Sequence, residues 1–397
     1  MFPLIDSHRR RPAHRGGPRT IGGFALALGF AAALTALTPP ASAGVRGYNV
    51  TGAPAVPEND FKLMAQRGAT IVRLSCATHP LANYNPDTAQ YTLNWANLNG
   101  LIKRLDYCAK YDLKAIVDPH AVFGSSSRYT LAANSRFWRE RKHSNAWVVF
   151  LRDLANRLKT RGPELWGYSL INEPASLDSR SGNQRNVDIN EVYQRCVRAV
   201  RGADPNRNLI LNFAEDDYRI RYPKTTTYFL ASGDRGQRSI NRIYFDNHCY
   251  WPLEFTHQGV NDTFRRTNIR WPIPKSGNTN RKDDNGLKQR LNWFTQWAAN
   301  PDGKPNTNDR VPNWRLFMCE FGVTSNTNLA WNSNSFRPSN GGDDWMSTVY
   351  TWLHNKDMNF TVHSWNGNED FRVRTYSRMD TFIERMIRGR APNRLRD

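Results

Sequence analysis

Two glutamates in this chain stand directly behind apolar runs. Glu173 follows the run from Leu165 to Ile171 with only Asn172 between, and Glu320 follows Leu316-Phe317-Met318-Cys319. An ionisable group at the edge of a buried segment costs desolvation energy, which marks both as candidates for chemistry. Two carboxyls brought face to face suit glycoside hydrolysis, in which one donates a proton to the leaving oxygen and the other acts on the anomeric carbon. Like charges at short range oppose joint ionisation, so one of the pair stays protonated and serves as the acid. Polar or aromatic residues close other apolar runs in the same way: Arg73, His120, Asn172, His248, Tyr250 and Trp365. The nine histidines show no H-E-x-x-H or similar spacing, so no catalytic metal is expected, and no other cofactor.

These residues need a scaffold that gathers strand ends. Strand-like runs occupy Val45–Val50, Thr70–Ser75, Leu113–Asp118, Leu165–Ile171, Asn208–Phe213, Ile243–Asn247, Leu316–Glu320 and Phe360–Trp365. Several are continuously apolar, as in a parallel sheet buried on both faces. Helical spacing appears between them at Asn97–Lys110, Trp147–Lys159, Ile189–Val200, Leu287–Ala298 and Trp345–His354. Eight β-α repeats with right-handed crossovers close most naturally into a single α/β (β/α)8 TIM barrel, whose active site lies at the carboxyl ends of the strands. An open doubly wound sheet would carry a glycine-rich turn after its first strand, and Gly44–Gly52 does not fit that pattern. Two long βα loops, Pro252–Asp284 and Val323–Asp343, are expected around the cleft.

In order and in strand position, Arg73, His120, Asn172, Glu173, His248, Tyr250, Glu320 and Trp365 resemble the residue set of glycoside hydrolase family 5, the cellulase family of the (β/α)8 retaining clan. The resemblance spans essentially all of the chain after residue 43. It implies Glu173 as general acid/base and Glu320 as nucleophile. It further implies Asn172 on the sugar 2-hydroxyl, and Arg73 and Tyr250 holding Glu320. His120 and His248 would bind sugar hydroxyls or orient the carboxylates, and Trp365 would lie under the sugar ring. Trp251 and Trp331 are candidates for outer subsites, while Trp138, Trp147, Trp293, Trp297 and Trp352 read as core. The implied activity is retaining endo-β-1,4-glucanase, with β-mannanase or exo-β-glucanase as the nearest alternatives. Ser75, where the arginine motif more often continues into proline or asparagine, and Cys249, between His248 and Tyr250, depart from the usual pattern. A non-catalytic carbohydrate-binding barrel is the reading from another class, and the presence of both glutamates argues against it.

The chain of 397 residues is 39% hydrophobic and 23% charged, which excludes a disordered or collagen-like polymer. Residues 1–43 read as an export signal: five arginines between Arg9 and Arg19, an apolar stretch from Ile21 to Leu37, and the small-residue pattern Ala41-Ser42-Ala43. Cleavage before Gly44 would release a secreted or periplasmic catalytic domain, residues 44–397, without a stable membrane anchor. The arginine run lacks the follow-up of a twin-arginine signal. The formal charge is +20, and removing five arginines and one aspartate with the leader leaves +16. The basic residues are scattered, so the expected partner is a polysaccharide or oligosaccharide rather than nucleic acid, met by a monomer. Cys76, Cys108, Cys196, Cys249 and Cys319 are too spread for a metal motif; an oxidising compartment would permit up to two bridges of unassigned pairing.

Overall fold

A computed structural model describes residues 44–132, 134–174, 187–213, 242–260, 269–274, 282–300, 310–324, 340–365, 371–373 and 377–390. The expected leader, Trp331 and parts of both rim loops lie outside these residues.

Eight parallel strands close into a barrel: β1 (Arg46–Thr51), β2 (Ile71–Ser75), β5 (Lys114–Asp118), β6 (Leu165–Ser169), β7 (Asn208–Asn212), β8 (Ile243–Asp246), β9 (Leu316–Met318) and β10 (Asn359–Val362). Each starts within one residue of an expected run, while β6, β9 and β10 end two or three residues earlier than expected. The helices are α1 (Glu58–Gln66), α2 (Trp95–Lys110), α3 (Arg136–Arg139), α4 (Arg141–Leu158), α5 (Ile189–Ala203), α6 (Leu253–Thr256), α7 (Asp284–Ala299), α8 (Gly342–Asn355) and α9 (Ser377–Ile387). The five expected helices correspond to α2, α4, α5, α7 and α8. An antiparallel hairpin, β3 (Ala82–Asn85) with β4 (Gln90–Leu93), is inserted between β2 and α2 and was not anticipated.

Local chemistry starts the helices. Asn94, Asp188 and Asp283 each accept backbone N–H groups in the first turn of α2, α5 and α7, a cap that contributes about 1 kcal/mol. Gly47 allows β1 to lie against β2: a Cβ there would sit 1.6 Å from the Ile71 carbonyl oxygen. Among the described residues, no helix is long and apolar enough to cross a membrane.

The barrel interior is graded along its axis. Ile71, Ile116, Ile210, Phe317 and Cys319 form a cluster of their own, apart from the large core between strands and helices. Side chains alternate along a strand, so residues two positions on share the same face. Those residues are Arg73, Asp118 and Asn212, all buried, and Asp246 stands likewise two beyond Tyr244, which packs on the apolar cluster. The carboxyl end of the barrel is therefore polar and the other end oily.

Candidate active site

The polar end holds a connected set of ionisable groups. Arg73 Nη1 pairs with Glu320 Oε1. Its Nη2 reaches Asp118 Oδ2 at 2.9 Å and Asn172 Oδ1 at 2.6 Å. Tyr250 donates its hydroxyl to the other Glu320 oxygen at 2.9 Å. His120 Nδ1 lies 2.6 Å from Asp118 Oδ2, and its Nε2 is 3.2 Å from the Asn172 amide nitrogen. Since that nitrogen is a donor, Nε2 accepts and Nδ1 carries the proton. Asn172 also donates to the Tyr129 carbonyl oxygen at 2.6 Å, so both amide hydrogens are engaged.

Glu173 stands opposite. Its Oε1 is 2.6 Å from His248 Nδ1, and its backbone N–H donates to Asn212 Oδ1 at 3.0 Å. Both Glu173 and His120 have left-handed backbone, with φ of 39° and 61°. That conformation is costly for side chains of this kind and is held here by the surrounding contacts. An oxygen of Glu173, an oxygen of Glu320 and a ring nitrogen of His248 all lie within 4.8 Å of one another. Three such donors have the types to hold a cation. They are satisfied internally, however, by the His248–Glu173 hydrogen bond and the Arg73–Glu320 pair.

The family model for cellulase, glycosyl hydrolase family 5, matches residues 38–369. The chain belongs to that family. It is similar to cellodextrinase A of Ruminococcus flavefaciens, 25% identical over 206 residues that make up 52% of this chain and 54% of that protein. The chain thus spans about half the length of the curated relative it matches. Endoglucanase Cel5A of the hyperthermophile Thermotoga maritima superimposes with a TM-score of 0.58 at 17% identity, covering 87% of this chain and 96% of that one. A family 5 xyloglucanase of Paenibacillus pabuli gives 0.59 at 17% identity over 87% and 97%. These structural likenesses show the shared barrel.

In this family 5 chain the electrostatics of the site act on Glu320, His248 and Asp118. Burial would raise the Glu320 pKa, but His248, His363, Arg73 and His120 outweigh it and hold the carboxyl well below its ordinary range. Burial likewise opposes charge on His248, yet Glu320 and Asp246 push its pKa well above the usual histidine value. Asp118 is also held low, Arg73 and His120 overcoming its burial.

The structure gathers seven of the eight sequence-derived residues and places the eighth elsewhere. Trp365 is fully buried, its ring edge-on to Tyr48 at 4.8 Å and under the Arg67 guanidinium at 5.2 Å. It belongs to the layer between β1 and α1, and it has no face open for a sugar. β10 ends at Val362, so the alternation that would have aimed Trp365 at the cleft stops three residues earlier. The residue that reaches Glu320 from the end of this strand is His363, with Nδ1 3.6 Å from Glu320 Oε2 and 3.1 Å from Asn49 Nδ2. Rings of Tyr250, His257, His363 and Phe371 make a wall there, with His257 centred 4.9 Å from Tyr250 and 4.8 Å from Phe371. Burial and repulsion from His363 lower the His257 pKa to about 3, which leaves that ring neutral. Trp251 is also no open platform: Arg290 covers its ring at 4.2 Å, and it packs against Trp271.

Sequence reasoning passed over Asn49, Asp118, Asn212, Asp246 and His363. Each is a polar residue in or just after an apolar strand. Asn49 lies on β1 and Asn212 on β7, two strands that carry none of the eight residues named from the sequence. The five cysteines are all buried, and no disulfide joins them.

Proposed function

We propose that the protein hydrolyses β-1,4-linked glucan with retention of anomeric configuration, as an endo-acting glucanase. The observation that carries this reading is the approach of Glu173 and Glu320 oxygens to within 4.8 Å. Retaining pairs stand roughly 5–5.5 Å apart, whereas inverting pairs leave roughly 6.5–9.5 Å for a water. Glu320, ionised and gripped by Arg73 and Tyr250, attacks the anomeric carbon. Glu173 protonates the departing oxygen, and the C1–O bond breaks as the glycosyl ester forms. Glu173 then takes a proton from water, whose oxygen displaces Glu320.

The likeness to a cellodextrinase supports glucan as the substrate. The Thermotoga maritima enzyme is solved with cellobiose and also with mannotriose, which makes β-mannan the second reading. We read residues 1–43 as a cleaved leader that delivers the single catalytic domain 44–397 outside the cytoplasm, where such polymers occur; amino-terminal sequencing of exported protein should begin at Gly44.

The test is reducing-sugar release from carboxymethylcellulose, mixed-linkage β-glucan, glucomannan, mannan and xylan by wild type and Glu320→Gln. Proton NMR of the first product checks the stereochemistry. Cleavage of β-glucan by wild type alone, with the β-anomer released first, is expected. An α-anomer would sink the double displacement, and silence on every polymer would sink the hydrolase.

A further inference from the structure

Asp246 ends β8, two residues before His248, and is fully buried. Its Oδ1 accepts the backbone N–H of Cys319 at 2.8 Å, the residue that precedes Glu320. Its Oδ2 accepts from Asn212 Nδ2 at 2.6 Å, and Asn212 Oδ1 accepts the backbone N–H of Glu173. The same Oδ2 lies 3.3 Å from His248 Nε2, an ion-pair contact that falls short of hydrogen-bond alignment. On the far side of that ring, Nδ1 meets Glu173 Oε1 at 2.6 Å. One carboxylate therefore touches the supports of both catalytic glutamates. A charge buried this deeply is destabilising unless its partners use it, and the preceding inward residues of these strands are apolar.

We propose that Asp246 is a positioning residue that acts through His248 to keep the transferable proton on the His248–Glu173 pair. This rests on the assignment of Glu173 as the general acid. With Asp246 facing Nε2, the remaining ring nitrogen shares one proton with Glu173 Oε1. In the first step that proton goes to the leaving oxygen while the C1–O bond breaks and the Glu320–C1 bond forms. In the second step the oxygen of water bonds to C1 as the Glu320–C1 bond breaks and frees the carboxylate, and the proton of that water returns to the pair. Nothing is oxidised or reduced.

The charged and titratable groups facing this unit come from every neighbouring strand end. Glu320 Oε2 is 3.7 Å from His248 Nδ1. Arg73, Tyr193 and Cys319 feel the Asp246 charge. Glu320 and Asp246 together hold His248 protonated against the effect of its burial.

Asp246→Asn keeps the shape and an acceptor for the Cys319 N–H but removes the charge. The high-pH limb of kcat/KM on a cello-oligosaccharide should move down by about one pH unit, with kcat falling about 100-fold. On 2,4-dinitrophenyl β-cellobioside, whose leaving group needs no proton, kcat/KM should change less than about threefold. A 2-deoxy-2-fluoro glycoside with the same leaving group should still label Glu320, which shows a folded site. Equal losses on both substrates with an unmoved limb would make Asp246 merely structural and overturn the proposal. If the variant does not fold, the ring 15N shifts of His248 in the wild type decide: both nitrogens protonated at pH 8 is the expectation, and a neutral ring overturns it. Failure of the hydrolase reading itself would show separately, as wild type inert on every glycan and on the aryl glycoside.

Discussion

The two ends of the barrel interior share β2, β5 and β7 and the same near-zero exposure, yet their energetics are opposite. Ile71, Ile116, Ile210 and Phe317 form the floor; Arg73, Asp118, Asn212 and Asp246 lie above it toward the cleft. Each floor side chain contributes about 1.5–3 kcal/mol on burial whatever its exact neighbours. The groups above are costly to desolvate and become tolerable only as a completed network, because each charge needs its partner in place. Stability therefore resides in the floor, and chemistry in a polar plug that the floor must support.

The largest break in that contrast should come from Glu320→Gln, which removes the proposed nucleophile and should cost about 10⁴-fold or more in kcat on β-glucan; because it also removes one carboxylate partner of Arg73, its melting temperature at neutral pH should fall. Glu173→Ala should cost about 10²–10⁴-fold on oligosaccharide, recovered largely on a dinitrophenyl glycoside when glycosylation is followed directly. Arg73→Met leaves Asp118 and Glu320 without their shared cation; urea unfolding should show a loss of about 3–5 kcal/mol. Its pH profile should also lose activity at a higher pH on the acid side. Acid titration sharpens the contrast further. Glu320 is depressed below its ordinary 4.5 in the folded state, so its contribution to stability is full above that value and is lost as pH falls toward the folded-state pKa. Unfolding free energy below pH 4.5 should drop more steeply for wild type than for Glu320→Gln. The smallest effect belongs to the floor: Ile210→Val should cost about 0.5–1.5 kcal/mol in urea and leave kcat within about twofold.

The barrel was legible because strands buried on both faces write continuous apolar runs, as in Ala115-Ile116-Val117 and Leu316-Phe317-Met318. α1 and the β3–β4 hairpin were not: the first is a nine-residue helix beginning after Pro57, and the second alternates exposed and half-buried residues on the rim. At the site, residues at strand ends could be read in order, and Glu173, Glu320, Arg73, His120, Asn172, His248 and Tyr250 do converge. Residues one layer deeper were hidden by the same apolar runs that revealed the strands. Asp118 stands two residues before His120, and Asp246 stands in the same relation to His248. Trp365 and His363 exchanged places because parity along a strand holds only while the strand lasts.

Among the described residues, five other than glycine have left-handed backbone: Ala89, His120, Glu173, Asp112 and Asp357. For anyone engineering a hardier variant, these positions divide sharply. Ala89, half-buried at the hairpin turn, can be exchanged for glycine, relieving a backbone penalty of about 1–2 kcal/mol against a smaller entropic loss. The same exchange at His120 or Glu173 would relax the chain equally and discard the reaction, so thermal selection without an activity screen will drift toward a sturdier, silent barrel.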